Sequence, residues 1–296
     1  MKKPVIPVVV SQYGKFELTL QCLESLRAQK DVEVVIWLLD VCSPNRTPEK
    51  LAQLASLADR HTFLEENLGF AAANNVVIKE ILKEKYECFF ILNNDTLLET
   101  DALSKLYASL ERHPTAAQVC PLLFYGNGTV QGAGGTIKPV LFEPGMIGNQ
   151  AKESVAYTEE RIVTFASGCA VLVRTAAVKK AGLIPEDYFM YSEDVDWSLQ
   201  CTQAGFEVWY CPSSHITHFE SVASGNYSAF KGYYVVRSNV LLARKWLKDH
   251  EYGIFTKAMR AKLLRQSIKY ARYPSYVQGM WRGFKDGLRR TAVPVD

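Results

Sequence analysis

Cys88-Phe89-Phe90-Ile91-Leu92-Asn93-Asn94-Asp95 is the stretch on which the fold turns. Its first five residues form an unbroken apolar run, as a strand buried on both faces requires, and it stops on two amides and a carboxylate. Reading outward, the same form recurs. Ile6 to Val10 runs into Ser11 and Tyr13, Val34 to Leu39 into Asp40, and Thr62 to Leu64 into Glu66 and Asn67. Between these runs lie Phe16-Leu20-Leu23-Leu26, Leu51-Leu54-Leu57 and Ala73-Val77-Ile81, spaced three or four apart like one buried helix face, and a further helix is predicted from about Asp101 to Glu111. The alternation predicts an α/β fold, a mostly parallel sheet flanked by helices. Ligands of such sheets sit beyond the carboxyl ends of the strands, so the polar residues after each run converge on one edge.

The 296 residues, 48% hydrophobic and 22% charged, suffice for a large core. The main domain is expected over 1–227, with its strand-and-helix half up to about 120. From 121 the second half is rich in Gly and Pro and is expected to form hairpins and loops, before an apolar strand at Ala170 to Val173 and a helix from Arg174 to Gly182. From 228 to 296 the chain turns aromatic and basic and reads as a helical appendage.

A net charge of +3 argues against a nucleic-acid partner. Seven scattered cysteines without a C-x-x-C pair fit a reducing, cytoplasmic setting better than a disulfide framework. Lys2 and Lys3 before Val5 to Val10 are too short a unit for a signal peptide, and no apolar run reaches the ~20 residues that cross a bilayer. The excess of Lys and Arg between Arg244 and Arg290, interleaved with Tyr, Trp and Phe, suits peripheral contact with anionic lipid at the cytoplasmic face of a membrane; a second subunit of a homo-oligomer would bury the same surface.

Two acidic stretches carry candidate chemistry. Asn93-Asn94-Asp95 suits a hard cation, Mg2+ or Mn2+, shared with a diphosphate, although Asp95 and Thr96 would equally open the next helix. Ser192-Glu193-Asp194-Val195-Asp196 reads either as an N-capped acidic first turn or as a general base in a partly apolar crevice beside Phe189, Met190 and Tyr191. His215 and His218 make no zinc site by themselves; His218 gains interest only if the fold carries it to Asp95.

These motifs, in order over about Val5 to Asn239, resemble inverting glycosyltransferases of family 2, and among them bacterial rhamnosyltransferase-like enzymes of surface polysaccharide synthesis. The resemblance rests on Val8-Val9-Val10-Ser11-Gln12-Tyr13, Leu39-Asp40, Glu66-Asn67-Leu68-Gly69-Phe70-Ala71-Ala72-Ala73-Asn74-Asn75, Leu92-Asn93-Asn94-Asp95-Thr96, Ser167-Gly168-Cys169-Ala170, Tyr191-Ser192-Glu193-Asp194-Val195-Asp196 and His218. It implies a GT-A-type nucleotide-binding fold. Ser11, Tyr13 and Asp40 would meet the base, Asn67 and Asn94 the nucleoside or sugar, and Asp95 the metal on the diphosphate. His218 would supply a second metal ligand or touch the phosphates, Asp194 would be the catalytic base, and Glu193, Asp196 and Arg237 acceptor-side or accessory residues. The implied donor is a nucleotide sugar, dTDP-rhamnose first and UDP-linked galactose, glucose or N-acetylglucosamine next. The implied acceptor is a saccharide or lipid-linked saccharide.

A nucleotidyltransferase is a competing expectation, but Ser11 to Phe16 offers only Gly14 and Lys15 where that class needs a Gly-rich basic phosphate loop. A non-catalytic scaffold in a membrane assembly is the other, against which the retained Asp95 and Asp194 argue.

Overall fold

A computed structural model describes residues 3–152, 157–219 and 227–290. The first four apolar runs are parallel strands: β1 (Val5–Gln12), β2 (Glu33–Asp40), β3 (Arg60–Phe63) and β4 (Cys88–Asn93). The helices α1 (Phe16–Arg27), α2 (Pro48–Ser56) and α3 (Gly69–Ile81) lie between them. Along β1, Ile6, Val8 and Val10 join one core layer while Val9 joins the other, so the strand is apolar throughout because both faces are covered.

After β4 come the short strand β5 (Thr96–Leu98), α4 (Ala102–Arg112) and β6 (Ala116–Tyr125). The last of these is a long, buried sheet strand that runs past residue 121, where hairpins and loops were expected: Pro121 is accommodated inside it, and eight of its residues are buried. A small antiparallel pair, β8 (Gly135–Lys138) and β9 (Glu143–Met146), follows β7 (Val130–Gly132). Next are β10 (Arg161–Ile162), β11 (Ala170–Arg174), α5 (Thr175–Ala181), α6 (Glu193–Gln203) and β12 (Glu207–His218). The sheet order is β10-β12-β6-β11-β4-β1-β2-β3, with β11 antiparallel to both neighbours and β5 beside β12.

β12 decides where the chemistry assembles. It runs parallel to β6 up to Cys211, breaks register across Pro212-Ser213-Ser214, and resumes at His215. Pro212 lacks the N–H that a ladder needs, which is why the sequence reads there as a loop, yet the strand recovers beyond the irregularity. The recovered end pairs antiparallel with β5, placing His218 opposite Thr96.

The C-terminal region forms α7 (Ala229–Trp246), α8 (Asp249–Lys269) and α9 (Pro274–Arg289). α9 meets α7 almost backbone to backbone. A Cβ at Gly279, Gly283 or Gly287 would fall within 2.3 Å of the Ala229 carbonyl oxygen, 2.2 Å of the Tyr233 carbonyl oxygen and 2.8 Å of the Val240 side chain respectively. α7 is also fastened to α6: Asp196 accepts from Lys245 Nζ and Trp246 Nε1, each at 2.7 Å.

Candidate active site

The strand ends open into a cavity of about 1400 Å³. Its sheet side carries Gln12, Asp40, Asn67, Asn93, Asp95 and His218; its other wall comes from Phe189 to Tyr191 and from α7 and α9.

The deepest charged group is Asp40, fully buried at the end of β2. Its Oδ1 accepts from Arg46 at 2.9 Å and from the Ser43 N–H at 3.2 Å, whereas its Oδ2 has no partner among the described residues. Asp40 lines the cavity, and a buried carboxylate oxygen without a partner carries a desolvation penalty that a ligand N–H reaching it would relieve.

Asp95 opens no helix. It is followed by β5, and the β5–β12 pairing brings His218 Nε2 to 3.2 Å from its Oδ1. On its other ring nitrogen His218 meets Gln131 Oε1 at 2.9 Å, so an Nδ1–H donated there fixes the ring with Nε2 toward Asp95, and Nε2 would coordinate a metal only after giving up the proton it donates to that carboxylate. The 3.2 Å between Nε2 and Oδ1 is close to the separation of neighbouring ligand atoms around a small divalent cation, so the pair would fit Mg2+ or Mn2+. No group of three or more metal-ligating side chains occurs among the described residues. Burial would raise the Asp95 pKa, but His218 and Lys15, whose Nζ is 2.9 Å from Oδ2, hold it below the usual carboxylate value. Burial would likewise discharge His218; the Cys169 sulfur and the Asp95 carboxylate reverse this and lift it to about 10.

Phe189 to Tyr191 line the cavity, and the acidic segment follows them through a contorted turn. Gly69, at φ +78°, leaves no room for a Cβ, which would sit 2.4 Å from the Phe189 carbonyl oxygen; that oxygen accepts from the Phe70 N–H at 3.1 Å. Tyr191 and Ser192 then take φ values of 69° and 68° in succession. Left-handed residues with a Cβ cost about 1–2 kcal/mol each, strain of the sort that collects at functional segments. Ser192 stands at the N-cap position of α6 and Glu193, Asp194 and Asp196 fall in its first turn, but the Ser192 side chain makes no cap hydrogen bond. Asp194 Oδ2 accepts from the Gly168 N–H at 2.9 Å and Oδ1 from the Val195 N–H at 2.8 Å. Burial raises its pKa, with the Gly168 contact acting against it. Glu193 is buried beside it, its Oε2 without a partner among the described residues, and burial together with the Asp194 charge pushes it well above the ordinary value.

The remaining expected site residues divide. Tyr13 and Asn67 line the cavity, and Asn67 Oδ1 also accepts from the Gly69 N–H at 3.0 Å. Ser11 does not; its hydroxyl donates to Asn74 Oδ1 at 2.9 Å. Asn94 is buried and its amide donates to Gln12, Gly14 and Thr19, so it holds the loop instead of facing a sugar. Asp196 is committed to α7, and Arg237 is buried within that helix, away from the cavity lining. Asp194 is also not among the lining residues; Tyr191, three positions earlier, is. Sequence reading passed over Lys15, Arg46 and Gln131 as site residues. No cysteine is among the cavity's lining residues, and burial pushes the Cys22, Cys88, Cys120 and Cys201 thiols up to about 12.

A family model described as glycosyl transferase family 2 matches residues 8–182. The chain is 27% identical over 241 residues to N-acetylglucosaminyl-diphospho-decaprenol L-rhamnosyltransferase of Mycobacterium tuberculosis, covering 75% of this chain and 78% of that one. It is 25% identical over 227 residues to rhamnosyltransferase WbbL of Escherichia coli K12, covering 73% and 83%. Among solved structures it resembles GalNAc-T7 with UDP, GalNAc and Mn2+, at TM-score 0.65 and 13% identity over 97% of this chain and 56% of that chain, a likeness of fold.

Proposed function

The chain belongs to glycosyl transferase family 2, and from that premise we propose that it transfers rhamnose from dTDP-rhamnose to a saccharide on a lipid carrier, with inversion at the anomeric carbon. The observation that carries the reading is the meeting of Asp95 and His218 in the same cavity as the open oxygen of Asp40. That oxygen is an acceptor for the imide N–H of thymine or uracil, which makes a UDP-sugar the alternative donor. Asp95 and His218 would hold a divalent cation, which supplies positive charge to the departing diphosphate. Asp194 takes the proton of the acceptor hydroxyl as its oxygen attacks from the face opposite the leaving group. Each of its oxygens keeps a lone pair beyond the backbone N–H it accepts, and burial keeps it basic enough to serve.

An acceptor on a lipid carrier calls for contact with a membrane, and α8 supports it. Ile254, Leu264 and Ile268, 55%, 56% and 81% exposed, fall within about 80° of arc at 3.6 residues per turn, opposite the buried Phe255, Met259 and Leu263. Lys257, Arg260, Arg265 and Lys269 are exposed around them, and no helix among the described residues is long and apolar enough to cross a membrane. Binding to anionic vesicles that survives Leu264→Glu with Ile268→Glu would remove this face from the reading.

The deciding experiment is a thermal-shift panel of dTDP, UDP, GDP and ADP, each with Mn2+, with Mg2+ and with chelator. A ligand at a hundred times its Kd adds ~2.7 kcal/mol, a shift of several degrees for a chain of this size. Metal-dependent stabilisation by dTDP is expected. Stabilisation by UDP instead moves the donor to the alternative, and indifference to every nucleotide sinks the transferase.

A further inference from the structure

Lys15 sits on a turn fixed from several directions. β1 ends at Gln12, and Gly14 and Lys15 follow with φ of 65° and 52°, two left-handed residues in succession. The Gly14 N–H donates to Ser43 Oγ at 3.1 Å, and its carbonyl accepts from Asn94 Nδ2 at 3.1 Å. The same Asn94 amide reaches Gln12 Oε1 at 2.6 Å and Thr19 Oγ1 at 2.8 Å, and the Thr19 hydroxyl donates to Gln12. Asn94 therefore holds the turn, and its neighbour Asp95 receives the side chain that the turn presents: Lys15 Nζ lies 2.9 Å from Asp95 Oδ2, with the two side chains only 22% and 10% exposed.

One carboxylate thus faces His218 through one oxygen and a fixed ammonium through the other. A divalent cation at Asp95 would stand beside a positive charge that water screens weakly. A diphosphate reverses the balance, because it brings enough negative charge to satisfy the metal and the lysine together.

We propose that Lys15 and the divalent cation compete for Asp95, so that metal and donor diphosphate enter together: the phosphate oxygens draw the Lys15 ammonium off Asp95 and free the carboxylate for the metal. Lys15 makes metal uptake conditional on the nucleotide, and the uncharged Gly14 turn with Asn94 sets its aim. This rests on Asp95 and His218 being the metal ligands.

The test is calorimetric titration of the full chain with Mn2+, without and with saturating dTDP or UDP. Wild-type protein is expected to bind Mn2+ at least tenfold more tightly with nucleotide. Lys15→Met should bind Mn2+ alone at least tenfold more tightly than wild type and lose most of the nucleotide dependence, and Lys15→Arg should keep it. Equal Mn2+ affinity of wild type and Lys15→Met without nucleotide overturns the proposal, and so does a wild-type affinity that nucleotide leaves unchanged, a result that needs no variant to fold. Mn2+ binding that survives Asp95→Asn overturns the ligand assignment itself, a separate outcome from failure of the lysine.

Discussion

On the sheet side of the cavity Gln12, Asp40, Asp95 and His218 are all buried, and each is tied to a named partner; on the helical side Ser275, Gln278 and Arg282 are exposed along α9. The first wall is made of strand ends, where neighbouring strands fix every backbone position and charges can be paired at set distances. The second is made of helix surface, where a side chain can change without disturbing the glycine seam that seats α9 on α7. Fixed charge suits a reaction centre, and replaceable surface suits recognition of an acceptor.

The sharpest way to break this contrast is at the strained segment that joins the walls. Asp194→Asn should lower kcat by about 10²- to 10⁴-fold, the usual contribution of a general base, with dTDP affinity unchanged in a parallel binding assay; retained turnover would take the base elsewhere. A paired comparison comes next. Asp40→Asn on the sheet wall should weaken nucleotide binding by roughly ten- to a hundredfold, from ~1.5–3 kcal/mol per hydrogen bond to a charged group, and leave acceptor KM alone. Arg282→Ala on the helical wall should do the reverse at smaller scale, raising acceptor KM by up to about fivefold, as expected of an exposed charge worth ~1 kcal/mol or less. If both variants move the same constant, the two walls do not divide the labour.

The smallest effect concerns stability. Because the folded protein holds Glu193 above its ordinary pKa, it binds more protons than the unfolded chain, and stability falls as pH rises past the ordinary carboxyl value. Glu193→Gln never ionises. It should melt higher than wild type at pH 8, by about 2–4 °C for each kcal/mol regained, and the gain should vanish below about pH 4. A difference that persists unchanged at low pH would trace to packing instead of charge.

The sheet wall was the more legible of the two. Apolar runs ending in polar residues announce parallel strands, and Asp40 and Asp95 stand where such strands deliver their side chains. Reading failed where one residue type serves two ends. Pro121 and Pro212 signal loops but lie within long strands. Asn94 carries the groups of a sugar ligand and uses them on its own loop. Asp196 belongs to an acidic cluster but binds Lys245 and Trp246. Lys15 has no periodicity or partner in the sequence that would single it out, since its role exists only once β1 and β4 lie side by side. The helical wall was legible as helix and charge, but the Gly279, Gly283 and Gly287 spacing, four residues apart along one face, was the signal of its tight packing.

The pairing of β5 with β12 ties the reaction centre to the order in which the chain is made. Asp95 is synthesised with the early strands, whereas His218 comes at the end of the last one. A nascent chain that has built β1 to β4 has Asp95 at the sheet edge without His218, and it acquires that partner only when a strand from far along the polypeptide closes against β5. Such a long-range closure is slow to form relative to local contacts. Asp95 and His218 therefore meet only once the second half of the chain is in place.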